Sequence, residues 1–213
     1  MAQVFAKRTE LGVKLVIAAL AIAALCIVVP AASGLRADLA LQQAVAQPIP
    51  FSHKHHAGDD GIDCRYCHVT VETAAFAGLP STRICLTCHS QLFAGAGVLE
   101  PLRRSAATGR PIAWNRVHRL PDFVYFDHHV HVAKGVACVE CHGRVDQMPL
   151  TWRTSPLQMQ WCLACHRDPA PHLHARDDVF RMDAPRPTPQ ETAQLARGLA
   201  DERRLTDCSI CHR

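Results

Sequence analysis

The stretch Cys64-Arg65-Tyr66-Cys67-His68 is the first of five segments in this chain that share the pattern Cys-x-x-Cys-His. The other four, called motifs 2 to 5 in chain order, are Cys85-Leu86-Thr87-Cys88-His89, Cys138-Val139-Glu140-Cys141-His142, Cys162-Leu163-Ala164-Cys165-His166 and Cys208-Ser209-Ile210-Cys211-His212. Ten of the eleven cysteines lie in these motifs, and every motif keeps its histidine. The positions of the motifs therefore organise the rest of the chain.

Cys-x-x-Cys-His is the attachment signature of c-type haem. The two cysteines form thioethers to one porphyrin, and the histidine is the proximal ligand of its iron. Zinc ribbons and thioredoxin-like redox pairs also use paired cysteines, so a single motif would leave those alternatives open. Five complete copies predict five covalently bound haems, each with its iron bound by the histidine of the motif.

The composition indicates how such a chain folds. Aromatic residues make up only 6% of the 213 residues, and the chain has 14 prolines, so a large core of side chains is not expected. Porphyrins would supply the apolar interior, as metals and disulfides do in small domains with too little core. We predict a mainly α-helical multihaem cytochrome c with much irregular structure, wrapped around five haems and folded only when they are bound. The net charge of +4 comes without a basic stripe interleaved with aromatics, so nucleic-acid binding is not predicted.

The N-terminal region contains an uncharged apolar run from Leu15 to Ala32, preceded by basic residues. A helix of this length, slightly extended, can cross about 30 Å of hydrocarbon, and the basic flank predicts a cytoplasmic N-terminus. We predict a single-pass anchor in a bacterial inner membrane, with the haem domain on the periplasmic side. The predicted segments are a cytoplasmic N-terminus at 1–11, a transmembrane helix at 12–33, a juxtamembrane connector at 34–50 and the haem domain at 51–213. The alternative is a signal sequence cleaved near Ala31-Ala32-Ser33.

Three features outside the motifs are also interpreted. Cys26, within the apolar run, is taken as a small apolar helix residue, with lipid attachment as the alternative. One helical stretch is predicted at 35–47, before Pro48 and Pro50 end it. An amphipathic helix is predicted at 190–204, where it would carry the chain back to motif 5.

A second repeat precedes motifs 1 and 3. Phe51-Ser52-His53-Lys54-His55-His56 and Phe126-Asp127-His128-His129-Val130-His131 share the pattern F-x-H-x-x-H, followed by seven residues before motif 1 and by six before motif 3. Each copy is followed by two motifs, so the sequence predicts two similar haem-pair units, at about 51–90 and 126–167.

The same repeat sorts the remaining histidines. On a helical turn, side chains at i and i+3 leave on one side of the backbone, so one short segment can serve two neighbouring haems. The histidines at the shared positions are predicted to be distal iron ligands; they are His53, His56, His128 and His131. His55 and His129 occupy non-equivalent positions and are predicted not to bind iron.

The fifth haem, on motif 5, needs a ligand from outside the repeat. His118, in the linker between the two units, is the first candidate for its distal position. Met148 and Met159 are the alternatives, because a thioether is a known axial ligand that raises the haem potential. His172 and His174 lie in a proline-rich stretch and are predicted to be surface loop residues.

Several stretches within and between the motifs carry a resemblance to a known family. They are Pro50-Phe51-Ser52-His53-Lys54-His55-His56, Gly61-Ile62-Asp63-Cys64-Arg65-Tyr66-Cys67-His68, Phe76-Ala77-Gly78-Leu79-Pro80, Val117-His118-Arg119-Leu120-Pro121-Asp122-Phe123-Val124-Tyr125-Phe126, His142-Gly143-Arg144-Val145-Asp146-Gln147-Met148-Pro149-Leu150 and Cys208-Ser209-Ile210-Cys211-His212-Arg213. In these stretches the chain resembles the pentahaem subunit of alternative complex III, a bacterial quinol-oxidising respiratory complex. The F-x-H-x-x-H pattern is shared more widely with small multihaem cytochromes of the c3/c7 type. The resemblance implies partners: an iron–sulfur subunit, quinol-binding membrane subunits and a monohaem cytochrome c.

Three functions are compatible with these patterns. The first is an electron-transfer subunit of a quinol-oxidising membrane complex, without catalytic residues of its own, passing electrons through the haems to a periplasmic acceptor. The second is a stand-alone membrane-anchored quinol dehydrogenase that feeds a periplasmic reductase. The third is a pentahaem enzyme such as a nitrite reductase, which needs an iron with an open coordination position. The nine histidines outside the motifs favour six-coordinate iron and therefore the first two functions.

Overall fold

The computed structural model describes residues 6–39, 41–199 and 202–212, without the side chains of residues 35–39 and 202. The chain divides into two compact units, Met1–Leu41 and Gln42–Arg213. Each unit is described separately below.

The N-terminal unit consists of one long helix, α1, at Lys7–Leu39. Its segment Lys7–Gly34 has a mean hydropathy of 2.8 and is nowhere buried, so in length and composition it can cross a membrane, a property that an N-terminal signal sequence shares. The helix is longer at both ends than the predicted anchor at 12–33. The helical stretch predicted at 35–47 is wrong beyond Leu39, because residues 41–47 are not helical. Residues 1–5 of the predicted cytoplasmic segment, 1–11, lie outside the described residues.

The predicted connector belongs largely to the C-terminal unit. The Gln42 amide donates to the Arg153 carbonyl at 2.8 Å, and the Val45 amide donates to the Thr151 carbonyl at 3.2 Å. The Asn115 side chain donates to the Ala46 carbonyl at 2.7 Å. Long-range hydrogen bonds therefore hold residues 42–46 in the C-terminal unit, which begins before Phe51.

The C-terminal unit is built from short helices joined by irregular segments. Five of the helices contain the motifs: α2 (Cys64–Cys67), α3 (Thr82–His89), α6 (Cys138–His142), α7 (Met159–Arg167) and α10 (Cys208–Cys211). The others are α4 (Glu100–Thr108), α5 (His128–Ala133), α8 (Pro189–Ala196) and α9 (Glu202–Leu205), with a π-helical turn at Lys54–Asp59 and 3₁₀ turns at Gly97–Leu99, Val145–Gln147, Ala170–His172 and Arg176–Asp178. In the described ranges the only β pairing is an isolated bridge between Val136 and Leu173. The predicted fold class, mainly α with much irregular structure, is confirmed.

The first and last motif helices begin at aspartate caps. The Asp63 carboxylate accepts from the Arg65 amide at 2.8 Å, and the Asp207 carboxylate accepts from the Ser209 amide at 2.8 Å. Such caps satisfy amides that the first turn of a helix leaves without a partner. They allow a one-turn helix to form over the two cysteines, so that the histidine that follows leaves at its end.

The side-chain core is small. Among the described residues, one cluster joins Ile49, Leu99 and Leu102, with Trp114 packed against it. A second joins Val71, Val132 and Val179, with Phe180 beside it. Two small clusters in a unit of this length agree with an interior that needs a cofactor to be complete.

The helix predicted at 190–204 is wrong as a single element. Helix α8 begins with a capping box, in which Thr188 and Glu191 bind each other's amides, and it ends at Ala196. Helix α9 begins at Glu202, with residues 200 and 201 outside the described ranges. Gly198, which has a low helix propensity, follows the end of α8.

Candidate haem-binding sites

Three of the predicted distal histidines lie about 6 Å from a motif histidine, measured between ring centroids. The ring centroids of His56 and His89 are 6.1 Å apart, and those of His131 and His166 are also 6.1 Å apart. The centroids of His128 and His142 are 6.3 Å apart. With metal–nitrogen bonds of about 2 Å, two imidazoles on opposite sides of one metal ion have centroids roughly 6 Å apart. The three separations therefore fit axial pairs for motifs 2, 4 and 3.

Motif 1 has the corresponding neighbour. Burial, followed by the charges of His68, His56 and His118, lowers the pKa of His53 to about 4. His53 is therefore neutral at physiological pH, the form in which imidazole binds a metal. By its place in the repeat, and by its proximity to His68, His53 is the candidate partner for motif 1.

Four of the five motif histidines are oriented through their Nδ1 atoms. The Nδ1–H of His68 donates to the Gly78 carbonyl at 2.8 Å, and that of His166 donates to the Leu205 carbonyl at 2.7 Å. His89 and His212 donate in the same way to the carbonyls of Leu92 at 3.0 Å and Phe123 at 3.1 Å. A carbonyl can only accept, so the proton is on Nδ1 and the free nitrogen is Nε2. Metal-bound histidines are usually fixed by such a partner.

The distal histidines follow the same rule. The Nδ1–H of His56 donates to the Ser52 carbonyl at 2.9 Å, and that of His131 donates to the Asp127 carbonyl at 2.7 Å. His128 donates to the Ala75 carbonyl at 2.8 Å. His53 differs, because its Nδ1 lies 2.8 Å from the Thr151 hydroxyl. Sequence reasoning did not find these partners, although the i, i+4 spacing of two of them was visible in the repeat.

The phenylalanine of F-x-H-x-x-H packs on both histidines of its repeat. The ring of Phe51 lies 4.4 Å from His56 at an angle of 27° and 4.9 Å from His53 at 89°. The ring of Phe126 lies 4.5 Å from His131 at 27° and 4.7 Å from His128 at 89°. The aromatic ring therefore sets the directions of the two imidazoles, which explains its place in the pattern.

The arrangement of the thiols and other ligand types distinguishes haem from a bare metal. All eleven cysteines are described and free. Among the described residues, no group of three or more His, Cys, Asp or Glu side chains is arranged to hold a metal ion. Burial raises the pKa of Cys138 and Cys141 to about 12, so these thiols are protonated. In motifs 2, 3 and 4 the paired histidines would supply two ligands to one iron, with the remaining four from a porphyrin, and this arrangement fits haem better than a zinc ribbon.

His118 lies in a different place from the one expected of a ligand for motif 5. Its ring centroid is 4.3 Å from that of His142, at 74°, which is too close for both to be opposite ligands of one iron. Its Nε2 is buried and has no hydrogen-bond partner. Among the described ring contacts, His212 pairs with Phe123 at 5.9 Å and not with His118. The role of His118 as the fifth distal ligand therefore stays a prediction.

The two alternative methionines differ in burial. Met148 is 2% exposed, and its carbonyl accepts from the Lys54 amide at 3.1 Å, which places it against the π-helical turn before motif 1. Met159 is 61% exposed at the start of α7. Both remain candidates only for the predicted fifth site.

The interpretation of His174 as a surface loop residue is wrong, whereas His172 is partly exposed at the end of a 3₁₀ turn. The Nδ1–H of His172 donates to Glu140 at 2.6 Å, and the Nε2 of His174, whose side chain is 2% exposed, lies 3.3 Å from the same carboxylate. Arg186 also approaches Glu140, at 3.4 Å. These contacts hold the proline-rich segment against Glu140, in the middle of motif 3. Composition alone did not predict this packing.

The comparison with known families matches the C-terminal part of the chain. Residues 124–213 match the family described as cytochrome c7 and related cytochrome c. This segment contains the second F-x-H-x-x-H copy and motifs 3 to 5, and it forms a cytochrome c7-like domain. This match implies c-type haem in the segment, in agreement with the donor sets described above.

One protein with a named function is similar in sequence to this chain. The menaquinone reductase, multiheme cytochrome c subunit of Nitratidesulfovibrio vulgaris (strain Hildenborough) is 35% identical over 126 residues, which are 58% of this chain and 53% of the relative. The chain thus spans about half the length of the curated relative it matches.

Proposed function

We propose that this chain is a five-haem electron-transfer subunit of a membrane-bound, quinone-linked oxidoreductase complex. The observation that carries the proposal is the pairing of histidines, in which a motif histidine faces a distal histidine at a separation suited to axial ligation in motifs 2, 3 and 4. An iron held by such a histidine pair would offer no open position to a substrate and would be suited to electron transfer. The chain is therefore not an enzyme by itself.

The chain's own residues would bind and orient the cofactor. The two cysteines of each motif would attach one haem covalently, and the histidine pairs would bind its iron. When bound, a c-type haem supplies a one-electron ferric/ferrous couple. Carbonyl groups on the Nδ1 atoms of four motif histidines and three distal histidines hold these imidazoles in one tautomer. Burial lowers the pKa of His53 and His142, which keeps both imidazoles neutral.

The membrane and partner assignments rest on the N-terminal helix and on the relative. Helix α1 supports a single-pass anchor in the bacterial inner membrane, with the haem unit on the periplasmic side. The named relative is a subunit of a menaquinone reductase, which supports assembly with quinone-handling subunits. More specifically, the resemblance to the pentahaem subunit of alternative complex III favours an iron–sulfur subunit, quinol-binding membrane subunits and a monohaem cytochrome c as partners.

The test is purification of the full chain from bacterial membranes in mild detergent, with c-type haem maturation supplied. We expect additional membrane subunits to co-purify and the haems to be reduced by menadiol only in the complex. A haem-loaded chain that purifies alone and is itself reduced by menadiol would support the stand-alone quinol dehydrogenase instead. A chain that binds no haem would contradict both functions.

The direction of electron flow is tested on the same material. Oxidation of menadiol coupled to reduction of a periplasmic cytochrome would support a quinol-oxidising complex such as alternative complex III. Reduction of menadione by the haems, with no reaction in the other direction, would support a quinone reductase like that of the relative.

A further inference from the structure

The two haem-pair units hold each other's first distal histidine. Ala75, seven residues after motif 1, accepts from the Nδ1–H of His128 in the second unit at 2.8 Å. Thr151, nine residues after motif 3, places its hydroxyl 2.8 Å from the Nδ1 of His53 in the first unit. The exchange is reciprocal, but the two acceptor groups are chemically different.

The difference determines how strongly each imidazole donates electrons. If Nε2 of His53 binds iron, its Nδ1 carries the proton, and the Thr151 hydroxyl must accept. A backbone carbonyl belongs to a peptide dipole of about 3.5 D and is the stronger acceptor. A stronger acceptor on Nδ1 makes the imidazole a stronger donor to the metal, and hydrogen bonding around the ligands is one of the ways a protein sets haem potential.

Thr151 is held in place independently of His53. Its carbonyl accepts from the Val45 amide at 3.2 Å, and Arg153, two residues later, accepts from the Gln42 amide at 2.8 Å. Thr151 is only partly exposed. The hydroxyl is therefore a fixed partner and, unlike a carbonyl, can be removed by substitution.

We propose that Thr151 is a positioning residue that tunes the haem of motif 1 through His53, and makes its potential differ from that of the equivalent haem of motif 3. The proposal rests on haem binding as proposed above, and not on the quinone partner.

The test is a spectropotentiometric titration, with electron paramagnetic resonance, of the purified full-length haem-loaded protein. Thr151→Val keeps the shape and removes the hydroxyl, and Thr151→Ala removes it without added bulk, which covers the case in which valine does not fold. Thr151→Ser keeps the hydroxyl. Thr73→Val is the matched control, because Thr73 is exposed and its hydroxyl contacts only the Thr70 carbonyl, at 3.5 Å. His53→Ala identifies which centre belongs to motif 1.

We expect Thr151→Val and Thr151→Ala to raise the potential of one centre and to shift its low-spin signal, because His53 loses an acceptor and donates less to ferric iron. That centre should be the one that His53→Ala converts to high spin. Thr151→Ser and Thr73→Val should leave all centres unchanged. The proposal is overturned if no centre moves, if the serine variant moves it as much as valine does, or if a different centre moves. A wild-type protein without haem on motif 1 would instead contradict the proposed function, which the haem content reports separately.

Discussion

The two haem-pair units have the same ligand geometry but different backbone structures around it. In both, the phenylalanine ring lies at 27° to one histidine and at 89° to the other. The first unit forms a π-helical turn at Lys54–Asp59, whereas the second forms the α-helix His128–Ala133. The first unit has one more residue before its motif. A π-turn absorbs one extra residue in a helix, so the insertion leaves the two imidazoles in place.

The units also meet their surroundings differently. Gly61 and Gly135 occupy equivalent positions three residues before the first cysteine, with φ of 68° and 87°. A side chain at Gly61 would meet nothing, whereas one at Gly135 would lie 2.8 Å from the His174 carbonyl. The second unit is therefore packed more tightly, against the segment that Glu140 holds.

The largest expected effect is loss of a distal ligand in either unit. We predict that His56→Ala and His131→Ala each convert one low-spin haem to high spin while all thioethers remain, because the motif still attaches the haem. Electron paramagnetic resonance measures the change. His55→Ala and His129→Ala are the matched controls, because both side chains are exposed. If the low-spin spectrum is unchanged in one of the two ligand variants, the two units do not use equivalent distal ligands.

The contact of the π-turn with the segment after motif 3 should be the next most sensitive. A methyl group at Gly58 would collide with the Asp146 carbonyl, a backbone atom that cannot move alone. We predict that Gly58→Ala lowers the free energy of unfolding by about 3 kcal/mol, as overpacking does. Chemical denaturation of the haem-loaded protein measures it. Gly95 has open space around it, so Gly95→Ala should lower the free energy of unfolding much less. Equal losses of stability in the two variants would contradict the contact between Gly58 and the Asp146 carbonyl.

The two equivalent glycines give a smaller, graded comparison. Gly61→Ala should cost about 1–2 kcal/mol, the penalty of a left-handed conformation for a residue with a Cβ. Gly135→Ala should cost more, because it adds the clash with the His174 carbonyl. Thermal unfolding of the two variants tests the order. The reverse order would show that the second unit is not the more tightly packed one.

The last comparison concerns His118, which among the described ring contacts meets only His142, a motif histidine of the second unit. Its buried Nε2 lacks a partner, and an iron atom would satisfy it. We predict that His118→Ala converts one centre to high spin and that this centre differs from the one lost in His128→Ala. His118→Met should keep six-coordination and raise one potential. If both variants leave all centres low-spin with unchanged potentials, Met148 and then Met159 become the candidates.

The candidate ligand histidines could be picked out from the sequence because they lie in short repeats. The shared phenylalanine and histidines of F-x-H-x-x-H meet motif histidines in space, although their role as ligands stays a prediction. The Nδ1 partners Ala75 and Thr151 could not be predicted from the sequence, because they lie 53 and 98 residues along the chain from the histidines they contact. The burial of His174 was missed for the same reason, since its partner Glu140 is 34 residues away. Local propensity also failed at 190–204, where the chain forms two short helices instead of one.

The most direct test of the central claim is the mass of the purified full-length chain after c-type haem maturation. Two haem-pair units and one terminal site predict five covalent haem additions, with all ten motif cysteines blocked to thiol reagents and Cys26 alone reactive after unfolding. Four or fewer additions, with Cys208 and Cys211 free, would contradict the five-haem account and leave only the two repeated units.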